Sequence, residues 1–232
     1  MVASDGDTIR RFPIFGDLPA SRAQELADRC NWQRYAKGRQ ILGQQDGTSD
    51  LFLVVTGSVH IVGYSGAGKA VSYGDISAGE VFGEFSAIDR QPRSASVTAL
   101  SDCLVGRMTS SDFRDVLATE PRVALNLLET VVAKTRLLSE RVFDFSTLTV
   151  ESRLHVELLR LAGLSDNADA SAVLNPAPTH QEIADRISTR RETVTRELNR
   201  LAEDGVLSLG RRLIEVRDAA RLRDMVDRAR LF

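Results

Sequence analysis

Hydrophobic and polar positions divide the chain into three segments with different periods. Up to about residue 118, short apolar runs such as Leu51 to Val55, Val59 to Val62 and Val97 to Leu100 alternate with glycine-rich connections. Ten of the 16 glycines lie between Gly38 and Gly83. Short strands separated by turns are typical of an antiparallel sandwich or barrel. A helix is expected before these strands, within Phe12 to Cys30.

The second segment has the period of one long helix, which we expect to run from Pro121 to Leu148. Seven residues, all apolar except Thr135, follow one another at alternating steps of four and three: Ala124, Leu128, Val131, Thr135, Leu138, Val142 and Phe145. This heptad pattern predicts a helix packed against a second copy of itself in a twofold dimer. A second apolar set is expected to face the sheet domain: Val123, Leu127, Val132 and Leu137. The alternative is a single helix that lies only on its own domain.

The third segment begins with an apolar helix, Leu154 to Leu164, followed by a polar loop, Ser165 to Pro178. Thr179 and Glu182 then have the spacing of a capping box, in which each side chain accepts a hydrogen bond from a backbone N–H group. The box predicts a short helix that ends near Ile187.

A second short helix is expected after a tight turn, from Arg190 to Glu203, with three apolar residues on its buried face: Val194, Leu198 and Leu201. Two helices joined in this way, with arginines at the start of the second, form the helix-turn-helix arrangement. Two further apolar runs, joined by Gly210-Arg211-Arg212, predict a hairpin wing, and a last helix follows it.

The second helix carries side chains that can read base edges. An arginine guanidinium matches the two acceptors of guanine, and a glutamate accepts from the cytosine amino group. Arg191, Glu192 and Arg196 therefore have the chemistry to read two guanines and a cytosine. Two alternatives stay open, because Thr189 and Glu192 have capping-box spacing and Glu192 and Arg196 have ion-pair spacing.

The composition fits an ordinary folded protein with a net charge of −2, so nucleic-acid binding requires a local basic patch. From Arg186 to Arg212 there are seven arginines and four acidic residues. Cys30 and Cys103 are too few for a cysteine cluster, and the three histidines have no metal-ligand spacing. We therefore expect no metal, iron–sulfur cluster or haem. Without a signal peptide or membrane span, a cytoplasmic location is expected.

A possible anion site lies in the first segment, where Gly79 to Ala87 end a strand and begin a short helix. Free N–H groups at a helix start bind anions, and Arg93 can hold two phosphate oxygens. Glu84 can accept a hydrogen bond from a ribose hydroxyl. Together these groups suit a cyclic ribose phosphate. From the residues alone, the alternative is that Glu84 pairs with Arg93 and only ties the loop.

The helix-turn-helix segment resembles the DNA-binding motif of the cAMP receptor protein/FNR family, from Gln181-Glu182-Ile183-Ala184 through Arg191 to Leu198. The Arg-Glu-x-x-x-Arg spacing is similar to that of the cAMP receptor protein branch, where these residues read TGTGA-like half-sites in an inverted repeat. The resemblance implies a set of DNA-binding residues made up of Thr179, Gln181, Arg190, Arg191, Glu192, Thr193 and Arg196. Within it, Thr179, Gln181 and Thr193 are expected to contact phosphates.

The resemblance also implies an α+β fold. Residues 1–118 are expected to form an antiparallel, jelly-roll-like β-roll that binds a cyclic nucleotide. Residues 119–149 would form the dimerisation helix, and residues 150–232 a winged helix-turn-helix.

Gly83-Glu84 followed by Pro92-Arg93-Ser94-Ala95 resembles the phosphate-binding cassette of cyclic-nucleotide-binding domains. The resemblance implies that Glu84 binds the ribose 2′-hydroxyl and that Arg93 and Ser94 bind the phosphate. The backbone of Gly83, Phe85 and Ala95 is expected to assist.

One departure from the family concerns the base. In the cAMP receptor protein a Thr-Ser pair on the dimer helix contacts adenine, and the matching residues here are Leu138 and Ser139. Leucine cannot hydrogen-bond to adenine, so cAMP is the first expectation and cGMP is a second candidate.

Other functions stay open at this point. The chain could bind DNA without nucleotide, answer to another small effector, or control a partner protein. An enzyme is least expected, because no nucleophile–base pair or metal constellation is evident. RNA polymerase is a further expected partner, with the loop Ser165 to Pro178 and the exposed sensor strands as candidate contact surfaces.

Overall fold

The computed structural model describes residues 5–68, 70–164 and 171–230. The chain forms two compact units, Met1–Thr135 and Arg136–Phe232, and the division between them falls inside the long helix. The predicted α+β fold is confirmed, with antiparallel sheets in the first unit, a long helix, and a helix-turn-helix in the second.

The first unit contains helices and two four-stranded antiparallel sheets, ordered β1-β8-β3-β6 and β2-β7-β4-β5. Its elements are α1 (Gly6–Arg10), a 3-10 turn (Pro13–Phe15), α2 (Ala20–Arg29), β1 (Asn31–Tyr35), β2 (Gln40–Leu42), β3 (Leu51–Thr56), β4 (Ser58–Tyr64), β5 (Ala70–Ser77), β6 (Val81–Phe82), α3 (Glu84–Asp89), β7 (Ser96–Ala99), β8 (Cys103–Met108), α4 (Ser110–Thr119) and the first part of α5 (Pro121–Thr147).

Strand β3 is buried on both faces and separates two parts of the core. Leu51 and Leu53 belong to a cluster that includes residues of α2, α4 and α5. Phe52 and Val54 belong to the cluster between the two sheets. Because successive side chains of a strand point to opposite faces, one short run of apolar residues serves both clusters.

Among the described residues, the first unit covers helix α5 on one side. Val123 and Leu127 are buried in the first unit's core, and Val131 packs against that core. The prediction that Val132 and Leu137 face the sheet was wrong, because they are 50% and 39% exposed. Val131 was expected on the dimer seam, but it follows Leu127 by four residues and packs on the same face, whereas Val132 is turned away from it.

The second unit contains the end of α5 and a three-stranded antiparallel sheet ordered β10-β11-β9. Its other elements are α6 (Val150–Leu161), β9 (Ala172–Leu174), α7 (His180–Arg186), α8 (Arg191–Glu203), β10 (Leu207–Gly210), β11 (Leu213–Val216) and α9 (Ala219–Arg230).

Two local predictions for the second unit need correction. Helix α6 begins four residues earlier than the apolar pattern indicated, since the Thr149 hydroxyl caps it by accepting from the Ser152 N–H. The segment Ser165 to Pro178 is not only a loop, because β9 lies within it and adds a third strand to the wing. Residues 165–170 of that segment lie outside the described residues. Among the described helices, none has both the length and the apolarity needed to cross a membrane.

Candidate functional site

The glycine that precedes α3 allows an arginine to approach the backbone closely. Gly83 has φ of 82°, in the left-handed region, and caps the start of α3. A Cβ atom at this position would lie 2.7 Å from Arg93 Nη1 and 3.0 Å from the Asp50 carbonyl oxygen. Glycine is therefore required here both by the backbone angle and by the space that Arg93 occupies.

The Arg93 side chain is almost completely buried, with 2% of its surface exposed. Its Nη1 donates to the Gly83 carbonyl at 3.0 Å, its Nη2 to the Asp50 carbonyl at 2.8 Å, and its Nε to Thr48 Oγ1 at 3.1 Å. Burial lowers the pKa of Arg93, and nearby Asp50 acts in the opposite direction. A guanidinium has five N–H donors, so these three bonds leave one further donor on each Nη atom.

Glu84 has a different partner from the one that the residues alone suggested. It is 6% exposed, and its Oε1 accepts a hydrogen bond from Lys134 Nζ of α5 at 2.7 Å. Within the described part of the chain, no ion pair joins Glu84 to Arg93. Sequence reasoning missed Lys134, although a signal existed: it lies seven residues after buried Leu127 and therefore on the same helix face.

The remaining residues of the predicted ligand site differ in exposure. Ser94 is exposed next to buried Arg93, Ala95 is buried, and Phe85 is 51% exposed. Leu138 and Ser139 are both exposed on α5 and belong to the second unit.

The helix-turn-helix begins as predicted. The Thr179 hydroxyl accepts from the Glu182 N–H at 3.2 Å, and the Glu182 carboxylate accepts from the Thr179 N–H at 2.6 Å. This reciprocal pair is a capping box and starts α7. At the other end of α7, the chain turns at Ser188, whose φ is 51°, and α8 begins three residues later.

The exposed face of α8 carries the predicted base-reading residues. Arg191, Glu192 and Arg196 are all exposed. Arg190 is the N-cap and makes no side-chain capping bond, so the alternative capping box of Thr189 and Glu192 does not form. Among the described residues, no ion pair joins Glu192 to Arg196.

The predicted phosphate-contacting residues lie around the start of both helices. Thr179 and Gln181 are exposed, and Thr193 is half-buried. His180 links the two helices, because its Nδ1 lies 2.7 Å from Thr195 Oγ1.

A buried polar pair ties α8 to α6. His155 Nε2 lies 2.7 Å from Glu197 Oε1, and the two residues are 4% and 5% exposed. Arg200 donates two further hydrogen bonds to Glu197. Burial lowers the pKa of His155, although the hydrogen bond to Glu197 acts against this effect. Burial acts to raise the pKa of Glu197, but the bonds from Arg200 and His155 hold it below its ordinary value.

The two cysteines are enclosed in the first unit. Burial raises the pKa of the Cys30 thiol to about 12. Cys103 is 3% exposed, and the Ser58 and Ser101 carbonyl oxygens both lie within hydrogen-bond distance of its thiol, at 3.2 Å and 3.1 Å. In the described ranges, no group of three or more His, Cys, Asp or Glu residues is arranged to hold a metal ion.

Comparison with known proteins agrees with this arrangement. The sequence profile described as "Cyclic nucleotide-binding domain" matches residues 32–120, and the one described as "Crp-like helix-turn-helix domain" matches residues 152–225. The "Cyclic AMP receptor protein" of Thermus thermophilus is 30% identical over 92% of this chain and 96% of its own length. The chain belongs to the cAMP receptor protein/FNR (CRP/FNR) family.

Other members of the CRP/FNR family are also similar. The "cAMP-activated global transcriptional regulator CRP" of Salmonella typhimurium is 27% identical over 77% of this chain and 86% of its own length. The structure of FixK2 from Bradyrhizobium japonicum has the same fold, with a TM-score of 0.72, 23% identity, and coverage of 84% of this chain and 96% of that one. This chain is therefore a DNA-binding transcriptional regulator with a cyclic nucleotide-binding domain, in a family of regulators and not of enzymes.

The buried pair predicts that acid destabilises the DNA-binding unit. Because the folded-state pKa of His155 is below the unfolded value of about 6.5, the unfolded chain binds more protons and stability falls as the pH drops. His155→Gln keeps a donor for Glu197 but cannot titrate. We expect the variant to lose less stability than the unmodified chain between pH 7 and pH 5, measured by thermal unfolding. Parallel stability profiles for the two proteins would contradict this assignment.

Proposed function

We propose that this chain is a homodimeric regulator that recognises an inverted repeat of TGTGA-like half-sites under control of a cyclic nucleotide. We take cAMP as the favoured ligand and cGMP as the alternative. The observation that carries the proposal is that Arg191, Glu192 and Arg196 are exposed on the surface of α8 and form no ion pair with any other described residue.

The spacing of these residues suits the major groove. Arg191 and Arg196 are five residues apart, which corresponds to about 7.5 Å along a helix axis and roughly two base-pair steps. Each arginine can make a bidentate contact with guanine, and Glu192 can accept from a cytosine amino group. Neither the alternative capping box nor the alternative ion pair forms, so these side chains are available to bases.

Phosphate contacts would fix the register of the helix on DNA. We assign them to Thr179, Gln181, Arg190 and Thr193, which surround the starts of α7 and α8. The Thr179 hydroxyl uses its oxygen as an acceptor for the Glu182 N–H, and its own O–H can still donate to a phosphate oxygen. Such contacts position the protein but carry no sequence information.

For the nucleotide, we assign the phosphate to Arg93 and Ser94 and the ribose 2′-hydroxyl to Glu84. Arg93 retains two N–H groups beyond its three hydrogen bonds, and Ser94 next to it is exposed. Lys134 neutralises Glu84, and a ribose hydroxyl can donate to the same carboxylate beside it. Backbone groups of Gly83, Phe85 and Ala95 complete the proposed cassette.

The dimer is supported by the uncovered apolar side of α5. Leu125, Leu128 and Val132 are 43%, 60% and 50% exposed in a single chain, and Val142 is 65% exposed. A second copy of α5 would bury these side chains and gain free energy from their removal from water. In this arrangement, we propose that Leu138 and Ser139 of α5 contact the purine.

A second candidate is a regulator that binds DNA without nucleotide or answers to another small effector. Two observations favour it: Leu138 replaces the family's threonine, and three of the Arg93 donors are already bound within the protein. In either case, we propose that the chain contacts RNA polymerase and acts in the cytoplasm, because members of the family regulate transcription. Of the candidate polymerase contacts, residues 165–170 lie outside the described residues.

Arg196 provides the sharpest test of DNA reading. We expect Arg196→Ala to weaken specific binding by about 1–3 kcal/mol and to relax the preference for the guanine it faces. The measurement is fluorescence anisotropy with the matched duplex and with duplexes substituted at each guanine. Arg228→Ala, which removes an exposed arginine of α9, is the control. If Arg196→Ala retained the full preference for every guanine, the assignment would be wrong.

Arg93 provides the test of nucleotide control. We expect Arg93→Ala to abolish nucleotide-dependent DNA binding, because the guanidinium supplies the charge opposite the phosphate. Since Arg93 is buried and could also support folding, Ser94→Ala serves as a second variant at an exposed position. Calorimetry with cAMP should show lower affinity for both variants. Unchanged affinity in both would refute the proposed cassette.

A further inference from the structure

A chain of two hydrogen bonds crosses the helix-turn-helix from the start of α7 to the first turn of α8. His180 is the first residue of α7, and its Nδ1 lies 2.7 Å from the Thr195 hydroxyl oxygen of α8. That hydroxyl donates in turn to the Arg191 carbonyl oxygen at 3.0 Å. Thr195 directly precedes Arg196. The two bonds therefore end in the part of α8 that carries both arginines of the proposed base-reading set.

The contacts of Thr195 determine which nitrogen of His180 carries a proton. A hydroxyl has a single hydrogen, and the Thr195 hydroxyl uses it on the Arg191 carbonyl. Both contacts can be hydrogen bonds only if the hydroxyl accepts from an N–H group at His180 Nδ1. Burial and then the positive charge of Arg191 lower the pKa of His180, so the ring is neutral at pH 7.5. A neutral imidazole has one N–H group, and here it is used on Thr195.

The bond from His180 adds a directional restraint to an apolar core. Ile183 of α7 and Val194 and Leu198 of α8 belong to one buried cluster. Apolar packing is non-directional, whereas a hydrogen bond requires a defined distance and angle. The bond to Thr195 therefore restrains the rotation of α8 about its own axis more closely than the core does.

A small rotation of α8 would be enough to disturb the reading of bases. Side-chain tips lie about 6 Å from a helix axis, so a turn of about 10° moves them by roughly 1 Å. Groups that recognise a ligand have to be held within about 0.5 Å of their productive position. On the basis of the proposed function, we infer that His180 is a positioning residue, which acts through Thr195 and fixes the orientation in which α8 presents its arginines to guanine.

The test compares two amides at position 180 by fluorescence anisotropy of the full chain at pH 7.5 and one fixed salt concentration. Discrimination is the ratio of affinities for the matched duplex and for duplexes substituted at each guanine. His180→Asn places an N–H donor at the same number of bonds from Cβ as Nδ1, so it should keep most of the discrimination. His180→Gln places the donor one atom further along, so discrimination should fall about tenfold, as in His180→Ala.

Two further variants separate the bond from other effects. Thr195→Val removes the acceptor and should lower the discrimination as far as His180→Ala does. The double variant should lose no more than either single one, because both changes remove the same bond. His60→Ala removes the histidine that pairs with Asp75 in the first unit, and as the matched control it should leave the discrimination unchanged.

A direct contact between His180 and a phosphate would give a different result. All three substitutions at position 180 would then weaken binding to every duplex alike and reduce its salt dependence. That result would overturn the inference, as would a loss in His180→Asn as large as that in His180→Gln. Full discrimination in both His180→Gln and His180→Ala would overturn the inference alone. Absence of discrimination in the unmodified chain would overturn the proposed function together with it.

Discussion

Helix α5 is apolar on two sides, and the described residues of its own chain cover only one of them. Val123 and Leu127 are buried in the core of the first unit, while Leu128 is 60% exposed. In the proposed dimer this second apolar face packs on a partner helix, and the 3-4 spacing of the exposed residues suits a parallel copy of α5. The same helix also carries Lys134, which pairs with Glu84 of the proposed cassette. In the proposed dimer, the packing of α5 and the charge of the proposed cassette are therefore connected through residues of the same helix.

The proposed cassette is held in place by strand β3, which is buried on both faces. Asp50, which accepts from Arg93, directly precedes β3, and Phe52 of β3 lies 5.5 Å from the Arg93 guanidinium. Strand β3 packs on helices through one face and on the second sheet through the other. The Asp50 carbonyl and the Phe52 ring that contact Arg93 are therefore held in fixed positions. A ligand that engaged its remaining donors would meet a preorganised group and lose little free energy to ordering it.

Features determined by neighbouring residues could be predicted from the sequence. The capping box of Thr179 and Glu182 depends on residues three apart, and the buried face of α8 depends on helical periodicity. The exposure of Arg191, Glu192 and Arg196 follows from the same periodicity. The short apolar runs separated by glycine-rich connections indicated antiparallel sheets in the first unit. They could not give the order of the strands in its two sheets.

Contacts between distant residues could not be predicted in this way. Lys134 and Glu84 are 50 residues apart, and His155 and Glu197 are 42 residues apart. Neither pair has a local pattern, because each depends on how separate elements pack. Strand β9 was missed for a similar reason, since a three-residue strand in a polar segment gains its order from pairing with β11.

The most direct test of the account is fluorescence anisotropy of a labelled duplex with two inverted TGTGA-like half-sites, titrated with the full chain at one fixed salt concentration. The titration is made without nucleotide, with cAMP and with cGMP. We expect tighter binding with cAMP, and tightening by cGMP as well would show that Leu138 relaxes the choice of base. Equal, tight and specific binding in all three titrations would contradict nucleotide control and leave a regulator that binds DNA without this switch.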